Sequence, residues 1–467
     1  MNPQGDARIR GLLPALLLCC LAVPLSAGAQ EQLLFPPTLI VPNSNRVFPG
    51  LSESIQAGAA VVRVSTPPAI WYNPSGMVLS EHTTVNASVQ GYQLTLFTGS
   101  NLLKGGTQES NISTVPTFVG ILLGTEVIPL KNLRIGFGMS NPVSWAQGVN
   151  NASRGPNSAA SILFGANSEF TQYQAAGAVS YAVSDRFRIG FSLVVPYTYI
   201  SNNGQLNGQV SKNDLFYSAI STVFMSGYNF HLLTTASFQW QPLDWLSFGG
   251  VIQPPALRVV QGGNITVQAL STLNSSTDAR TVDLSFRDTK ATFSYVIPPE
   301  VSGGAAVHFG PVELELDAHW YLATGPYYLF SSTEPVNGHR AVQGSPPVTS
   351  LGSFPGQVWG TKNIVDLNFG TSVKVSELIT LLAGFYTSLA PGNVPSYVFQ
   401  PVTLYGVRAG LSFSGSHLSF SVGLGYEWGS TTIPLADVTA PGAEPVTFNQ
   451  PLDFQTLSIL FALAYVF

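Results

Sequence analysis

Apolar and polar side chains alternate strictly along the C-terminal part of the chain. From Leu418 to Trp428 every second residue is Leu, Phe, Val, Tyr or Trp, and the residues between them are Ser, Gly or Glu. A second run, from Leu457 to Phe467, repeats the pattern. Successive side chains of a β-strand point to opposite faces. Each run therefore predicts a strand with one apolar face and one small or polar face.

The same alternation recurs along the chain and predicts fourteen strands. They are 79–97, 113–125, 132–143, 171–184, 186–200, 227–241, 245–259, 289–309, 311–323, 360–375, 377–388, 402–414, 417–429 and 452–467. Every second connection is tight, as at Ser184-Asp185 and Gly415-Ser416. The intervening connections are long and rich in Gly, Asn, Ser and Pro: 144–170, 201–226, 260–288, 324–359 and 430–451. Short periplasmic turns that alternate with long outside loops are typical of outer-membrane barrels.

The composition supports a barrel in a membrane. Charged residues make up 9% of the chain, against about 25% in ordinary globular proteins. After the N-terminal region, no run approaches the roughly 20 apolar residues of a membrane helix. Only helices and closed barrels satisfy the backbone inside lipid, so we predict an all-β, 14-stranded antiparallel transmembrane β-barrel. A soluble β-sandwich is the alternative. The net charge of −5 shows no basic stripe and argues against nucleic acid as a partner.

The N-terminus predicts export. Arg8 and Arg10 precede a short apolar run that ends in Ala27-Gly28-Ala29, which is the pattern of a signal peptide over residues 1–29. Cys19 and Cys20 would be removed with it, so we expect neither disulfides nor cysteine–metal sites. We therefore predict that the chain resides in the outer membrane of a Gram-negative bacterium, among lipid and lipopolysaccharide. The terminal Phe467 resembles the signal for the barrel assembly machinery.

Assigning the apolar phase to lipid places a set of charges inside the barrel. An Arg or Lys on the lipid face at mid-depth would cost about 2–4 kcal/mol. The main interpretation is that these carboxylates and arginines pair across the barrel; a substrate or proton path, and catalysis or metal binding, are alternatives. The predicted inward charges are Arg134, Arg188, Glu313, Glu315, Asp317, His319, Asp366, Lys374, Arg408 and Glu427.

Residues 30–78 do not alternate and are rich in proline and small residues. A barrel of about eight strands is just filled by its own side chains, and fourteen strands leave more space. We therefore predict that 30–78 forms a plug, or hatch, inside the lumen of a barrel formed by 79–467.

Two stretches of this segment resemble a known family. The small-residue run Ser54–Val62 is followed by Asn73-Pro74-Ser75-Gly76-Met77, which is similar to the Asn-Pro-Ala-Gly-(Leu/Met) motif before the first strand of FadL/TodX-type transporters. Further similarity lies in Arg134-Ile135-Gly136-Phe137-Gly138 and in Gly384-Phe385-Tyr386. The chain resembles this outer-membrane family of long-chain fatty acid and aromatic hydrocarbon transporters. Ser75 departs from the usual Ala.

The resemblance implies passive transport of a hydrophobic molecule through a plugged barrel, with a lateral exit beside a kinked third strand. Carried over, Asn73, Pro74, Ser75 and Gly76 would form the hatch turn, although an ordinary plug-to-strand turn is the alternative. The wall opening would fall near Gly136–Pro142, where Gly136, Gly138 and Pro142 could break strand pairing. Fatty acids, alkanes, aromatics and signalling lipids stay open as ligands.

Apolar residues inside two predicted outside loops are candidates for ligand capture, because exposed apolar patches need a reason. The second group recurs at roughly helical spacing. Alternatively, both groups simply cover the barrel. The capture candidates are Ile162, Leu163 and Phe164 in the first loop, and Leu215, Phe216 and Phe224 in the second.

Other functions remain as alternatives. A general diffusion porin for small polar solutes would need an open lumen, which the plug opposes. A structural or adhesive barrel would use its long loops. An enzyme is not predicted, because the six histidines form no arrangement with a nucleophile. No motif indicates a cofactor, a metal or a nucleotide.

Overall fold

The computed structural model describes residues 42–99, 113–154, 160–212, 215–274, 279–342, 348–354, 356–392, 402–438 and 446–467. A short helix α1 (Ala69–Tyr72) and a 3-10 helix (Pro74–Leu79) come first. None of the helices in these ranges has the length and hydrophobicity needed to cross a membrane.

Twenty β-strands follow within the described ranges. They are β1 (Thr84–Gly99), β2 (Ser113–Leu123), β3 (Leu133–Arg154), β4 (Ala160–Ser184), β5 (Phe187–Lys212), β6 (Leu215–Leu243), β7 (Leu246–Gln253), β8 (Leu257–Asn274), β9 (Ala279–Phe293), β10 (Glu300–Phe309), β11 (Val312–Tyr321), β12 (Tyr327–Ser331), β13 (Pro335–Val342), β14 (Val348–Ser353), β15 (Gln357–Trp359), β16 (Ile364–Lys374), β17 (Ile379–Ser388), β18 (Thr403–Ser414), β19 (Leu418–Val438) and β20 (Val446–Val466).

In the described part of the chain these strands form fourteen spans. β7 and β8 make up span 7, β9 and β10 span 8, β11 to β13 span 9, and β14 to β16 span 10; every other strand is a span of its own. Neighbouring spans pair antiparallel, and β1 pairs with β20 from Thr84↔Val466 to Gly99↔Leu452. This last ladder closes the sheet, so the predicted 14-stranded antiparallel barrel is confirmed.

The two faces of the wall follow the predicted alternation. In β19, Leu424 is 58% exposed on the outer face, whereas Ser421 and Glu427 are buried on the inner face. The tight turns also lie where the sequence predicts them, as between the end of β4 at Ser184 and the start of β5 at Phe187. Hydrophobic alternation alone was therefore enough to predict which face of a membrane strand points outward.

The predicted long loops are wrong. Segment 201–226 is a hairpin, because β5 continues to Lys212 and β6 begins at Leu215. Strands likewise cover much of 144–170, 260–288, 324–359 and 430–451. The backbone ladder needs no apolar outer face once the strands rise into water, so segments rich in Gly, Asn and Ser still pair. The helical spacing predicted for 215–225 is also wrong, since these residues form part of β6.

Residues 42–80, here called the inner segment, bond to strands around the ring. Asn43 Nδ2 donates to the carbonyl of Ser388 in β17, at 2.7 Å. Ser75 N donates to Ser237 Oγ in β6 at 3.1 Å, and β11 and β19 are reached as well. A segment that bonds to strands around a closed ring lies within it, which supports a plug. The division into a plug of 30–78 and a barrel of 79–467 stays a prediction.

Candidate functional site

One side of the inner segment is held by the carboxylates of β11. The backbone N–H groups of residues 60–62 point at this strand: Asp317 Oδ2 accepts from the first two at 2.8 and 3.0 Å, and Glu315 Oε1 from the third at 2.6 Å. Arg63 completes the contact with Glu315 at 2.5 Å and Glu313 at 2.9 Å. Charge-assisted hydrogen bonds are about twice as strong as neutral ones, so β11 anchors this stretch.

A second charged contact joins the inner segment to β17–β19. Arg46 Nη2 lies 2.9 Å from Glu427 Oε2, and both side chains are buried. The Tyr386 hydroxyl also donates to Glu427. Arg408 Nη1 donates to the carbonyl of Ser54 at 2.8 Å. Buried charges are tolerated where they are paired and hydrogen-bonded, and here each partner comes from the opposite side of the wall–segment interface.

The predicted pairing of strand carboxylates with strand arginines is therefore wrong. Glu313 and Glu315 of β11 pair instead with Arg63 of the inner segment, and Asp317 accepts from backbone N–H groups of that segment. Arg134 and Arg188 donate to backbone carbonyls near the periplasmic turns, at 2.6 and 2.9 Å. Lys374 is exposed at a turn and pairs with Glu377 at 2.9 Å. The period-two pattern placed these charges, but their partners lie in a segment without periodicity.

The predicted hatch turn is compact and buried. Asn73 Nδ2 donates to the carbonyls of Val61, at 2.7 Å, and of Phe238 in β6, at 2.9 Å. Asn73 Oδ1 accepts from Ser75 N at 3.1 Å and from Ser75 Oγ at 2.5 Å. Pro74 opens the 3-10 helix, where its fixed φ and missing N–H are no disadvantage. The turn thus connects the inner segment to itself and to the wall.

Glycines allow the inner segment to approach the wall closely. A Cβ on Gly76 would lie 1.8 Å from the carbonyl oxygen of Val64. In β3, a Cβ on Gly136 would lie 3.0 Å from Met77 Sδ, and one on Gly138 3.0 Å from the Trp71 ring. Both β3 glycines stay paired with β2. The prediction that these two glycines break strand pairing is therefore wrong: they make room for the inner segment behind the wall.

Above the turn, the inner segment and the wall enclose a cavity of about 170 Å³. Its apolar lining includes Phe48, Trp71, Val143, Tyr295 and Ile297. Its polar lining includes Gln172, Gln174, Gln253, Glu300, Ser302 and His319. Glu300 is the one carboxylate among the described residues that line the cavity, and none of these residues is a lysine or an arginine. His319 Nδ1 lies 2.8 Å from Glu300.

The wall beside this cavity is incompletely paired. The β2–β3 ladder runs only from Leu123↔Ile135 to Phe118↔Ser140. Beyond that point β2 still pairs with β1, and β3 still pairs with β4 as far as Arg154. We call the described stretch where these neighbours face each other without a ladder, residues 113–117 and 141–145, the β2–β3 gap.

Prolines explain where the β2–β3 gap begins. Continuing the register by two residues sets Pro116 opposite Pro142, and neither has an N–H to donate. Both lie at irregularities of the neighbouring ladders, between Ser88 and Val89 in β1 and between Ser140 and Val143 in β3. Pro142 also lines the cavity. The predicted position of a wall opening, 136–142, thus meets the gap at Pro142.

The predicted capture residues lie on strands rather than in loops. Residues 162–164 are paired in β4, and Leu215 opens β6; the side chains of these four lie outside the described part of the structure. Phe216 is exposed and Phe224 is half-buried. None of the capture candidates is among the described residues that line the cavity.

Sequence reasoning missed an apolar cluster in the upper lumen. In β9, Leu284 and Phe286 are buried while Asp283 and Ser285 are exposed, so the apolar phase there points inward. This upper cluster also contains Val143, Trp145, Phe170, Ile200, Val223, Met225, Ile265, Val267, Phe293, Tyr295, Ile297, Phe330, Phe354, Trp359 and Phe454. Its alternation was masked by the assumption that 260–288 is a loop. Among the described residues, no group of His, Cys, Asp and Glu is arranged to hold a metal ion.

Comparison with known proteins agrees with this geometry. No protein-family model matches the chain, and no curated protein sequence matches it significantly. Solved structures do match. The toluene transporter TodX of Pseudomonas putida superposes with a TM-score of 0.57 at 12% identity, over 91% of this chain and 100% of that one. The chain has the fold of the FadL/TodX-type channels.

Two further structures have the same fold. A FadL homologue of Pseudomonas aeruginosa gives a TM-score of 0.54 at 13% identity, over 92% of this chain and 99% of that one. The toluene transporter TbuX of Ralstonia pickettii gives 0.55 at 12% identity, over 90% and 99%. TodX and TbuX are toluene transporters by name.

Proposed function

We propose that this chain is a passive outer-membrane channel for neutral hydrophobic small molecules, which leave its cavity sideways through the β2–β3 gap. The observation that carries the proposal is the cavity itself, which lies between the inner segment and that gap. The inner segment acts as the hatch that separates the cavity from the periplasm. The barrel stands among lipid and lipopolysaccharide, and the barrel assembly machinery inserts it.

The upper cluster supports the first step of transport. A hydrophobic molecule gains about 25 cal/mol for each Å² of apolar surface that leaves water, and buried apolar side chains pack together in the upper lumen. Val143, Tyr295 and Ile297 belong both to the upper cluster and to the cavity lining. A route to the cavity between these side chains would be apolar, which favours hydrophobic over polar solutes.

The cavity favours a neutral hydrocarbon over a fatty acid. Its volume of about 170 Å³ is below the roughly 300–1,000 Å³ of common ligand pockets. Glu300 would repel a carboxylate, and the described lining has no lysine or arginine to attract one. Two neighbours of the same fold are toluene transporters by name. A long-chain fatty acid is the second candidate and needs the inner segment to move further.

Trp71 stands at the inner side of the β2–β3 gap. Its ring meets Phe118 of β2 edge-on, with centroids 5.3 Å apart, and its Nε1 donates to Gln174 Oε1 at 2.8 Å. A rotation of this side chain would connect the cavity with the gap. The Asn73–Gly76 turn follows directly and would be the pivot of such a movement.

The test measures uptake of labelled toluene and of a labelled long-chain fatty acid by cells that lack their own transporter. The continued register sets Thr117 opposite Asn141, and both are buried, so Thr117→Cys/Asn141→Cys creates a disulfide across the gap. The matched control is Ala409→Cys/Leu424→Cys, a pair within the complete β18–β19 ladder. A reductant opens both disulfides.

We expect saturable toluene uptake by the wild type that falls when the gap pair is oxidised and recovers on reduction, with no change in the control pair. Uptake of the fatty acid but not of toluene would overturn the substrate class. Uptake of small sugars without either hydrophobic compound would favour a general porin and contradict the proposal.

A further inference from the structure

The wall is interrupted at a second place, between spans 7 and 8. From the periplasmic side, the β7–β10 ladder ends at Gln253↔Glu300. It resumes between β8 and β9 only at Gly263↔Ala291. We call residues 254–262 and 292–299 the 7–8 gap. The outer neighbours stay in place, because β8 pairs with β6 down to Leu257 and β9 pairs with β12 up to Phe293.

Four prolines prevent the ladder from closing this gap. Continuing the register beyond Gln253↔Glu300 sets Pro254 opposite Pro299 and Pro255 opposite Pro298. No N–H is available at any of these positions, so the ladder cannot form there. The β2–β3 gap has the same origin in its facing prolines. Two places in one wall share one chemical device, which argues that the second gap is a built feature.

Span 8 bends into the lumen at this point. Asn229 of β6 donates through Nδ2 to the carbonyl of Tyr295 at 3.1 Å, although span 7 lies between β6 and span 8. The Tyr295 ring meets Phe170 edge-on, with centroids 5.0 Å apart. Tyr295, Ile297 and Pro298 line the cavity. The inward bend thus brings the edge of the 7–8 gap to the cavity.

The lower edge of the gap is apolar on its outer side. Ile252 is 59% exposed, and Pro254 and Pro255 are exposed above it. Higher up, Leu257 and Val259 are 68% and 66% exposed, and Arg258 is exposed between them. At roughly 3.3 Å per residue and a tilt of about 40°, Gln253 lies roughly 18 Å above the periplasmic turn, within an apolar band of about 25 Å. The lower edge of the gap, from Gln253 to Pro255, therefore lies in the outer half of the membrane, and residues from Leu257 onward lie above the apolar band.

We propose that the 7–8 gap is a second lateral passage, through which hydrophobic small molecules exchange between the cavity and the outer leaflet. The inference rests on the proposed function, because it gives the same cavity a second route to lipid. Five spans separate the two gaps, so the two routes open on different sides of the barrel. Tyr295 and Ile297 would be the inner surface of the second route, and the prolines its edges.

The first experiment tests the passage without relying on transport. The variant Ile297→Cys has a single thiol in the exported chain, because Cys19 and Cys20 are removed with the predicted signal peptide. The protein is reconstituted in phospholipid vesicles that contain pyrene maleimide dissolved in the bilayer. The control, Leu382→Cys, is equally buried on the inner face of β17, away from both gaps. We expect labelling at 297 to be about tenfold faster or more, since the control thiol needs a local opening.

The second experiment divides uptake between the two routes. Ala256→Trp, at the half-buried mouth of the gap, obstructs the 7–8 route; Leu424→Trp is its lipid-facing control. With the Thr117→Cys/Asn141→Cys disulfide closed, we expect residual toluene uptake that Ala256→Trp abolishes and Leu424→Trp leaves unchanged. The difference in gel migration between unheated and heated samples shows whether each variant is a folded barrel.

The outcomes separate the two proposals. Equal labelling at 297 and 382, or complete loss of uptake on closing the β2–β3 gap alone, overturns the second passage and leaves the channel function standing. Fast labelling at 297 that Ala256→Trp slows and Leu424→Trp does not, in a protein that transports no hydrophobic compound, supports the passage and overturns the proposed transport. Because Ile297 lines the cavity that the β2–β3 gap also reaches, fast labelling that Ala256→Trp leaves unchanged assigns entry to the β2–β3 gap and overturns the second passage.

Discussion

The inner segment meets the barrel in two chemically different halves. Residues 45–63 face β11 and β16–β19 through buried charges, among them Arg46 with Glu427 and Arg63 with Glu315. Residues 69–79 face β2–β6 through neutral contacts: Ile70 and Met77 pack against apolar wall residues such as Leu122, and the hydrogen bonds there join uncharged groups. The charged contact of Arg134 with the Ser80 carbonyl lies beyond this half, at the end of the segment.

The difference in charge between the two halves predicts which half would move in the proposed transport. Separating a buried ion pair leaves an uncompensated charge and costs several kcal/mol. A neutral hydrogen bond contributes about 0.5–1.5 kcal/mol net. An apolar side chain that loses the contact with its neighbour can make an equivalent contact with a hydrophobic ligand. We therefore expect the charged half to stay fixed in the proposed transport, and the neutral half, beside the β2–β3 gap, to be the part that a hydrophobic molecule displaces.

The largest expected effect breaks the charged half. Glu427→Ala leaves Arg46 buried without its carboxylate, and we expect a loss of about 3–5 kcal/mol in the free energy of unfolding. Chemical denaturation in detergent micelles measures it. The control is Glu377→Ala, whose exposed pair with Lys374 should contribute at most about 1 kcal/mol. Equal effects of the two substitutions would remove the distinction between the halves.

A smaller effect is expected at the turn between the halves. In Gly76→Ala the new methyl group meets the Val64 carbonyl, and such overpacking costs about 1–3 kcal/mol. Gly325→Ala, where no atom lies within 4 Å of the added Cβ, is the control. The same denaturation measurement applies. A stability equal to that of the wild type would mean that the turn already shifts freely.

The neutral half should respond in transport more than in stability. Trp71→Ala removes one ring contact and one hydrogen bond of a half-buried side chain, and we expect a loss of about 1–2 kcal/mol. Because the ring stands behind the β2–β3 gap, toluene uptake should rise. Trp240→Ala, on the lipid face of β6, should leave uptake unchanged. Reduced uptake in Trp71→Ala would assign the ring to ligand binding rather than to closure.

The smallest effect concerns the turn that connects β2 and β3, below the β2–β3 gap. Hydrogen bonds from Thr83 lower the pKa of Glu126 from 4.5 to about 2. A depressed pKa adds stability above the ordinary value, and this contribution is lost as the pH falls from about 4.5 to about 2. Glu126→Gln should therefore flatten stability against pH only in this acid window. Glu377→Gln is the exposed control, and an unchanged acid profile in Glu126→Gln would contradict the assignment.

The parts predictable from the sequence are those where one side of a strand meets lipid. The alternation from Leu418 to Trp428 fixed both the strand and the face of Glu427, because charge on the lipid face is too costly. The hatch turn at Asn73–Gly76 was recognisable as a motif. The tight periplasmic turns followed from the spacing of the strands.

The remaining parts depend on contacts that have no period. Arg46 and Arg63 lie in the inner segment, so nothing in the sequence indicates that they meet Glu427 and Glu315. Strands such as β8 and β9 rise into water, and their Gly, Asn and Ser residues look like loop residues. The facing of Pro255 with Pro298 appears only once the register between their strands is known.

The charged contacts of the inner segment also constrain the order in which the molecule is assembled. The segment precedes β1 in the chain, and β1 pairs with β20 to close the ring. A chain end carrying Arg46 and Arg63 could reach the buried carboxylates of a finished cylinder only by threading through it. The seam between the first and last strands is therefore expected to close last, around a segment that already occupies the interior and neutralises the acidic strand.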